Sequence, residues 1–155
     1  MRVAVKFSIP EAAITALGRN LKTEIEPARQ SAQNAMADIF HQITLSNFGM
    51  QGMDRPSEWA DLSPAYAKKV HREAATLNVS GALIGAIKVA YAEDASTVSV
   101  SSDDIPYALA HQFGNPKGNL PARPYFPIDV NGQVTQYTRE QVLDIAKIQF
   151  ASELR

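Results

Sequence analysis

Three histidines, His41, His71 and His111, are the side chains of this 155-residue sequence best suited to metal binding or proton transfer near neutral pH. They lie far apart along the chain, and no two of them have the spacing of metal ligands. A metal site would therefore need acids from remote segments. The sequence also contains no cysteine, which removes thiolate ligands and disulfide bonds. We predict no metal and no other cofactor.

His111 is the best candidate for acid–base catalysis because Asp103 and Asp104 precede it closely. With one of these acids it could serve a small hydrolase or nuclease. The alternative, which we adopt, is a packed histidine that hydrogen-bonds the backbone. No serine lies in a Gly-x-Ser-x-Gly turn, and no glycine has the strand–glycine–helix context of a phosphate site. The sequence thus predicts a protein that is not an enzyme.

A basic run over residues 68–72 could contact the phosphates of DNA. Its candidate DNA-facing residues are Lys68, Lys69 and Arg72. The alternative is a solvated helix face, which we favour because the formal net charge of −1 gives the chain no overall attraction to nucleic acid. Non-specific contact with DNA in a channel is therefore a secondary hypothesis.

Hydrophobic periodicity indicates the elements that must position these residues. Residues 2–7 alternate like a half-buried strand, and residues 86–91 and 97–101 alternate around a turn at 93–96, which predicts a β-hairpin. A short helix is predicted to begin near Pro10 and to stop near 18–20. Alanines and larger apolar residues at three- and four-residue spacings predict the longest helix over 24–47.

The remaining segments are shorter. We predict a loop over 49–57, helices over 65–74 and 105–113, a short helix that begins at Ser80-Gly81, a flexible tip without regular structure over 115–119 and a strand over 125–130. Residues 138–141 resemble a capping box before a C-terminal amphipathic helix.

These elements predict an α+β fold in a single domain over residues 1–155. It contains a long helix in the N-terminal half, a small antiparallel sheet that includes the hairpin, and the C-terminal helix. An apolar fraction of 45% is enough for a hydrophobic core at this length. No apolar run approaches the length needed to span a membrane, so we expect a soluble protein without a membrane partner.

Four segments carry a resemblance to a known family. They cover residues 59–69, 77–83, 107–114 and 121–126, and they include the pieces His-Gln-Phe-Gly and Pro-Ala-Arg-Pro-Tyr-Phe. Each piece is common alone, but in this order they resemble the motifs of the phage virion morphogenesis family. That family includes tail-completion and head–tail joining proteins of tailed phages.

The resemblance implies a non-enzymatic structural protein of a tailed phage or prophage, forming a ring, by resemblance a hexamer, at the head–tail connection. Implied partners are other copies of the chain, head-side connector or adaptor proteins, and tail terminator or tail tube proteins. The implied location is the neck of the virion, after synthesis in the cytoplasm of the host bacterium. A tail-tube terminator or a minor head morphogenesis protein is the alternative role.

Two prolines, Pro121 and Pro124, hold the chain around Arg123 extended, so the neighbouring aromatic side chains could anchor on another subunit. Together with the hairpin, the arm over 121–127 is predicted to contact the next subunit of the ring. The predicted interface residues are Tyr107, His111, Phe113, Pro121, Arg123, Pro124, Tyr125 and Phe126. Arg123 could reach an acid of a neighbour or bind its own chain, and both alternatives are open. Trp59 is interpreted as a core residue.

Overall fold

The structure, a computed structural model, describes residues 1–15, 22–49, 54–70, 77 and 80–154. These residues contain the strands β1 (Arg2–Phe7), β2 (Lys88–Tyr91) and β3 (Ser96–Ser101). They also contain the helices α1 (Glu11–Thr15), α2 (Lys22–Ser46), α3 (Pro64–Val70), α4 (Ala82–Gly85), α5 (Ala108–Phe113) and α6 (Gln136–Glu153).

The three strands form an antiparallel sheet in the order β1-β3-β2. Val3 lies opposite Val100, and Val5 lies opposite Val98, which in turn faces Val89 of β2. Because side chains alternate between the two faces of a strand, these valines share one face, while Ala4 and Ser99 share the other. The predicted strand over 2–7 and the predicted hairpin are confirmed.

Helix α2 separates the sheet from the C-terminal helix, because it packs against all three strands and also along α6. Ala28, Ala32 and Ala37 are completely buried in it, so neighbouring backbones can approach closely. Phe40 of α2 packs on Phe7 of β1, with ring centroids 5.3 Å apart. The predicted α+β fold, with its long helix in the N-terminal half, is confirmed.

The predicted C-terminal helix is confirmed as α6. Val142 is buried in the core, whereas Leu143 and Ile148 are exposed. The predicted capping box is wrong, because α6 begins at Gln136 with Thr135 as its N-cap. Thr138 lies inside the helix and is completely buried, so its hydroxyl serves a tertiary contact instead.

Two predicted boundaries near α5 are also corrected. The helix begins at Ala108 rather than at 105, after a turn in which the Ile105 amide donates to Ser101 O at 3.0 Å. The prediction that the tip over 115–119 lacks regular structure is wrong, because residues Pro116–Gly118 form a 3₁₀ turn. Asn115 stabilises this turn by accepting from Gly118 N at 3.3 Å, and Leu120 N donates back to Asn115 O at 3.0 Å.

The predicted strand over 125–130 is absent from the described residues, where a single bridge joins Ile128 to Val134. Side chains from other elements bind this backbone and take the place of a strand neighbour. The helix predicted over 65–74 is confirmed as far as Val70. Its later part, Gly52 of the predicted loop and the helix stop near 18–20 fall outside the described residues.

Candidate functional site

The segment 121–128, which contains the predicted Pro-Ala-Arg-Pro arm, is held to α5 by one buried amide side chain. Gln112 Oε1 accepts from Tyr125 N at 3.1 Å and from Phe126 N at 3.0 Å. Its Nε2 donates to Phe126 O at 3.4 Å and to Ile128 O at 3.1 Å. A side-chain amide has both a donor and an acceptor, so Gln112 forms hydrogen bonds with the backbone of this segment as a neighbouring strand would. It therefore joins the His-Gln-Phe-Gly piece to the Pro-Ala-Arg-Pro-Tyr-Phe piece within one chain.

Two aromatic rings of the same segment lie in the centre of the core. Tyr125 and Phe126 are 0% exposed, and Phe126 packs on Phe40 with a centroid distance of 5.8 Å. Burial raises the pKa of the Tyr125 hydroxyl, which donates to Ala108 O at 3.1 Å. These rings stabilise the subunit itself, since a ring buried this completely cannot contact a partner.

Arg123 binds its own chain, which decides between the two alternatives left open by the sequence. Its Nε donates to Ala60 O at 2.8 Å and its Nη2 donates to Asp61 O at 2.9 Å, while its backbone amide donates to His111 O. Burial lowers the pKa of the guanidinium, and the nearby Asp61 carboxylate opposes that change. The fork of Arg123 therefore fastens the loop before α3 to segment 121–128.

Other residues of the same connection between α2 and α3 also bind segment 121–128. Asn47 Nδ2 donates to Tyr125 O at 3.0 Å, and the Trp59 indole donates to Pro124 O at 2.8 Å. The Arg55 guanidinium stacks 3.8 Å above the centre of the Trp59 ring. Trp59 is half-buried and packs against the core, so its interpretation as a core residue holds for its inner side.

Asp54 of this loop binds the first turn of α6 across a long stretch of sequence. Its Oδ2 accepts from Thr138 N at 3.1 Å and from Thr138 Oγ1 at 2.6 Å, and it also accepts from the Thr135 hydroxyl. A carboxylate at a helix N-terminus accepts hydrogen bonds from amides that have no partner within the helix, and its negative charge interacts favourably with the helix dipole. Asp54 thus performs the capping that the sequence assigned to the box over 138–141.

A groove with a volume of about 990 Å³ lies beside the outer side of this segment. Its apolar wall includes Leu62, Tyr66 and Leu120, and its polar wall includes His111 and Arg123. His111 is half-buried, its Nδ1 has no hydrogen-bond partner among the described residues, and its ring packs edge-on against Tyr107 at 5.5 Å. Burial lowers the pKa of His111, and the positive charge of Arg123 lowers it further.

This geometry gives His111 no acidic partner within the described part of the chain. Asp104 instead pairs with Lys88 at 3.3 Å on the exposed surface. A neutral histidine beside an arginine lacks the carboxylate that would orient and charge it for catalysis. The described ranges also contain no group of three or more histidine, aspartate or glutamate side chains that could hold a metal ion.

The predicted interface set divides into a buried part and an accessible part. Arg123, Pro124, Tyr125 and Phe126 are buried inside the chain, so their assignment to a partner surface is wrong for this fold. Their bonds to Gln112, Asn47 and Trp59 already use the contacts that the extended arm was expected to offer. Tyr107, Phe113 and Pro121 are exposed and His111 is half-buried, so for these four residues the interface stays a prediction.

The candidate DNA-facing residues are partly described. Lys68 and Lys69 lie exposed in the last turn of α3, where they form no ion pair with any described residue. Arg72 falls outside the described residues. Exposure agrees equally with a solvated face and with a phosphate contact, so the DNA hypothesis stays a prediction.

Sequence reasoning assigned no role to four side chains that organise the site: Asn47, Asp54, Arg55 and Gln112. Gln112 belongs to the His-Gln-Phe-Gly piece, and a glutamine on the core side of a short helix could have suggested a buried side chain that hydrogen-bonds a neighbouring backbone. Asp54 had no such signal, because its partners Thr135 and Thr138 lie 81 and 84 residues further along the chain.

The family model of the phage virion morphogenesis family matches residues 10–150. The match covers far more than half of the chain, and it includes all four resembling segments and every contact of segment 121–128. The chain belongs to the phage virion morphogenesis family. No curated protein and no solved structure matches this chain. None of the described helices is both long enough and apolar enough to cross a membrane.

Proposed function

We propose that this protein is a non-enzymatic structural subunit of a tailed phage or prophage and forms a ring at the head–tail connection. The observation that carries the proposal is the family match over residues 10–150. A ring subunit needs a rigid body with accessible contact surfaces, because the same heterologous contact must repeat until the ring closes.

The buried contacts of segment 121–128 support the rigid-body part of this proposal. Gln112 ties this segment to α5, and Arg123 and Trp59 both tie it to the connection between α2 and α3. Accessible apolar surface supports the second part. Its larger side chains are Tyr66, Tyr91, Tyr107, Phe113, Tyr137, Leu143 and Ile148. Exposed aromatic and aliphatic side chains of this size favour protein contacts.

The proposed partners are other copies of the chain, in a hexamer, together with a head-side connector or adaptor and a tail terminator or tail tube protein. The proposed location is the neck of the virion, reached after synthesis in the host cytoplasm. DNA that passes through such a ring would meet the subunits without sequence recognition, through cations such as Lys68 and Lys69.

Light scattering of the purified protein tests ring formation, and electron microscopy with an antibody against the protein tests its place in the particle. We expect a closed oligomer of a single size and antibody label at the junction of head and tail. Label along the tail tube end or on the capsid would assign the alternative roles. A monomer at every concentration that is also absent from virions would overturn the proposal.

Complementation of a phage that lacks this protein tests the non-enzymatic part. We expect His111→Ala to restore infectious particles as well as the original chain does, because His111 has no acidic partner in the described site. The matched control is Lys117→Ala, because Lys117 is exposed in the nearby 3₁₀ turn and lies outside the predicted interface set. Loss of particles with His111→Ala alone, from a variant that still folds and forms rings, would favour catalysis.

A further inference from the structure

The outer edge of β1 carries backbone groups without a strand neighbour. Ser102 N donates to Met1 O at 2.9 Å, so odd-numbered residues of β1 point their amides and carbonyls toward β3. Arg2, Ala4 and Lys6 must then point theirs away from the sheet. Within the described ranges these groups have no partner.

The outer edge of β2 is free in the same way. Ala92 N donates to Ala95 O at 3.1 Å, which places the even-numbered residues of β2 in the ladder with β3. Val89 and Tyr91 therefore turn their backbone groups outward, and no hydrogen bond to another described residue satisfies them. The sheet thus has two unpaired edges of different sequence.

We infer that these two edges are complementary halves of one subunit contact, in which β1 of one copy pairs in parallel with β2 of a second copy of this chain. The inference rests on the proposed ring. It names the surfaces that would join neighbouring subunits, and it predicts one sheet that continues from each copy into the next.

The positions of the side chains select parallel pairing. The outward backbone groups of β1 belong to residues such as Ala4, whose side chains lie on the solvent face, whereas those of β2 belong to Val89 and Tyr91 on the other face. Antiparallel pairing would place solvent-face residues opposite core-face residues and would invert the second copy. In a parallel ladder, one residue bonds to the two neighbours of the residue opposite it. Ala4 would then bond to Val89 and Tyr91 and lie opposite Ala90, which shares its face.

Rotational symmetry supplies the same orientation. Strands β1 and β2 both run antiparallel to β3, so they are parallel to each other within one chain. A copy generated by rotation about an axis along the strands therefore presents its β2 parallel to β1 of its neighbour. This is a heterologous contact, which repeats from copy to copy and can close a ring.

The side chains beside the two edges also match. A groove of about 410 Å³ runs along β1, and its apolar wall is formed by Leu109, Phe113, Ile128 and Val134. Phe113 is 39% exposed, and Tyr91 at the opposite edge is 54% exposed. In the parallel arrangement, Tyr91 of the neighbour lies on the core side of the added strand and covers this wall. Aromatic contacts of this kind are enriched at protein interfaces.

The turn after β2 carries the charge opposite to that of β1. The described lining of the groove along β1 contains Arg2 and Lys6 and no acidic side chain, whereas β2 begins with the cation Lys88, which pairs with Asp104, and leads directly into Glu93 and Asp94. Within one chain Lys6 Nζ lies 3.6 Å from Asp94, and both side chains are largely exposed. A shift of two residues, with Ala4 opposite Ala92, would place Lys6 opposite Asp94 of the neighbour. Both registers keep the same faces together.

Disulfide cross-linking tests this contact, because the chain contains no cysteine of its own. Ala4, Ala90 and Ala92 are all exposed, so cysteines there do not disturb the core. The double variants Ala4→Cys with Ala90→Cys and Ala4→Cys with Ala92→Cys sample the two registers. Each is oxidised in the ring fraction from size-exclusion chromatography and run on a non-reducing gel. Opposed residues of paired strands are close enough for a disulfide.

We expect one of the two double variants to give a ladder of covalent multimers that ends at the size of the ring, while Ala4→Cys alone stays a single chain. Rings that form without a ladder in either double variant would overturn this contact and leave the proposed function intact. A covalent dimer from Ala4→Cys alone would show two β1 edges paired about a two-fold axis and would also overturn it. No oligomer under any condition would defeat both proposals.

A proline at Ala4 provides an independent test. Its amide points away from the sheet, so Ala4→Pro removes an outward donor and keeps the ladder with β3. We expect Ala4→Pro to retain its circular dichroism spectrum and to lose the ring, whereas the control Ala4→Ser retains both. Rings of normal size from a folded Ala4→Pro variant would contradict the inference.

Discussion

Replacing Gln112 by methionine keeps the side-chain volume and removes every hydrogen bond that this side chain makes to segment 121–128. The change leaves the amides of Tyr125 and Phe126 buried without acceptors, and two carbonyls lose a donor. A buried polar group without a partner costs about 1–3 kcal/mol, and an unsatisfied carbonyl is tolerated better than an unsatisfied amide. We therefore expect a loss of about 3–5 kcal/mol in the free energy of unfolding, a large share of the roughly 5–15 kcal/mol typical of a domain.

Urea unfolding followed by fluorescence measures this loss. Trp59 is the single tryptophan of the chain, and its indole donates to Pro124 O at 2.8 Å, so its emission reports on the affected segment. With a slope of about 2 kcal/mol per molar urea, the midpoint should fall by about 2 M. The matched control is Gln136→Met, because the exposed side chain of Gln136 bonds to Glu140 at 2.9 Å and to no other described residue.

The control should change the free energy of unfolding by less than about 0.5 kcal/mol. A loss below about 1 kcal/mol for Gln112→Met, with an unchanged slope, would refute the reasoning. It would mean that the two amides find water or another acceptor as easily as they find Gln112.

Three further changes test other parts of the site by the same unfolding assay. Asp54→Ala should cost about 2–3 kcal/mol because it removes the cap of α6, whereas Asp144→Ala, in an exposed ion pair, should cost under about 0.5 kcal/mol; equal losses would contradict the capping role. Arg123→Lys should cost about 2–4 kcal/mol because the ammonium lacks the planar fork by which Nε and Nη2 reach the carbonyls of Ala60 and Asp61, and the exposed Arg139→Lys should cost little. The pKa of His111 is lowered in the folded state, so its neutral ring contributes stability above the pKa that this histidine has in the unfolded chain, and this stability is lost as the pH falls below about 6.5. The free energy of unfolding should therefore fall less between pH 7.5 and 5.5 in His111→Gln than in the original chain. An identical fall in both proteins would contradict this effect of His111.

The sequence predicted the elements whose signals are local. Val3, Val5 and Phe7 alternate within six residues, and the apolar spacing of α2 repeats through the whole helix. These patterns state which face is buried without reference to distant residues. For the same reason the hairpin and the start of α3 at Pro64 agreed with expectation.

The contacts of the site could not be predicted because they join residues far apart in sequence. Thr138 looked like the first residue of a capping box, but a carboxylate 84 residues earlier binds it from another loop. Segment 125–130 looked like a strand because most of its residues are aromatic or β-branched, yet Gln112 supplies the hydrogen bonds of a missing neighbour. Arg123 looked equally suited to a partner and to its own loop, and only the folded position of Ala60 decides between them.

The order of strands in the sheet has a consequence for folding. The central strand β3 is the last of the three strands in the chain. Val3 therefore has no paired strand until Val100 has been synthesised. During synthesis, β1 is therefore free while about two thirds of the chain is made. Contacts between residues so distant in sequence form slowly, because a long loop must close first. The hairpin of β2 and β3 forms locally, so we expect it to assemble first and to offer β3 as the template on which β1 completes the sheet.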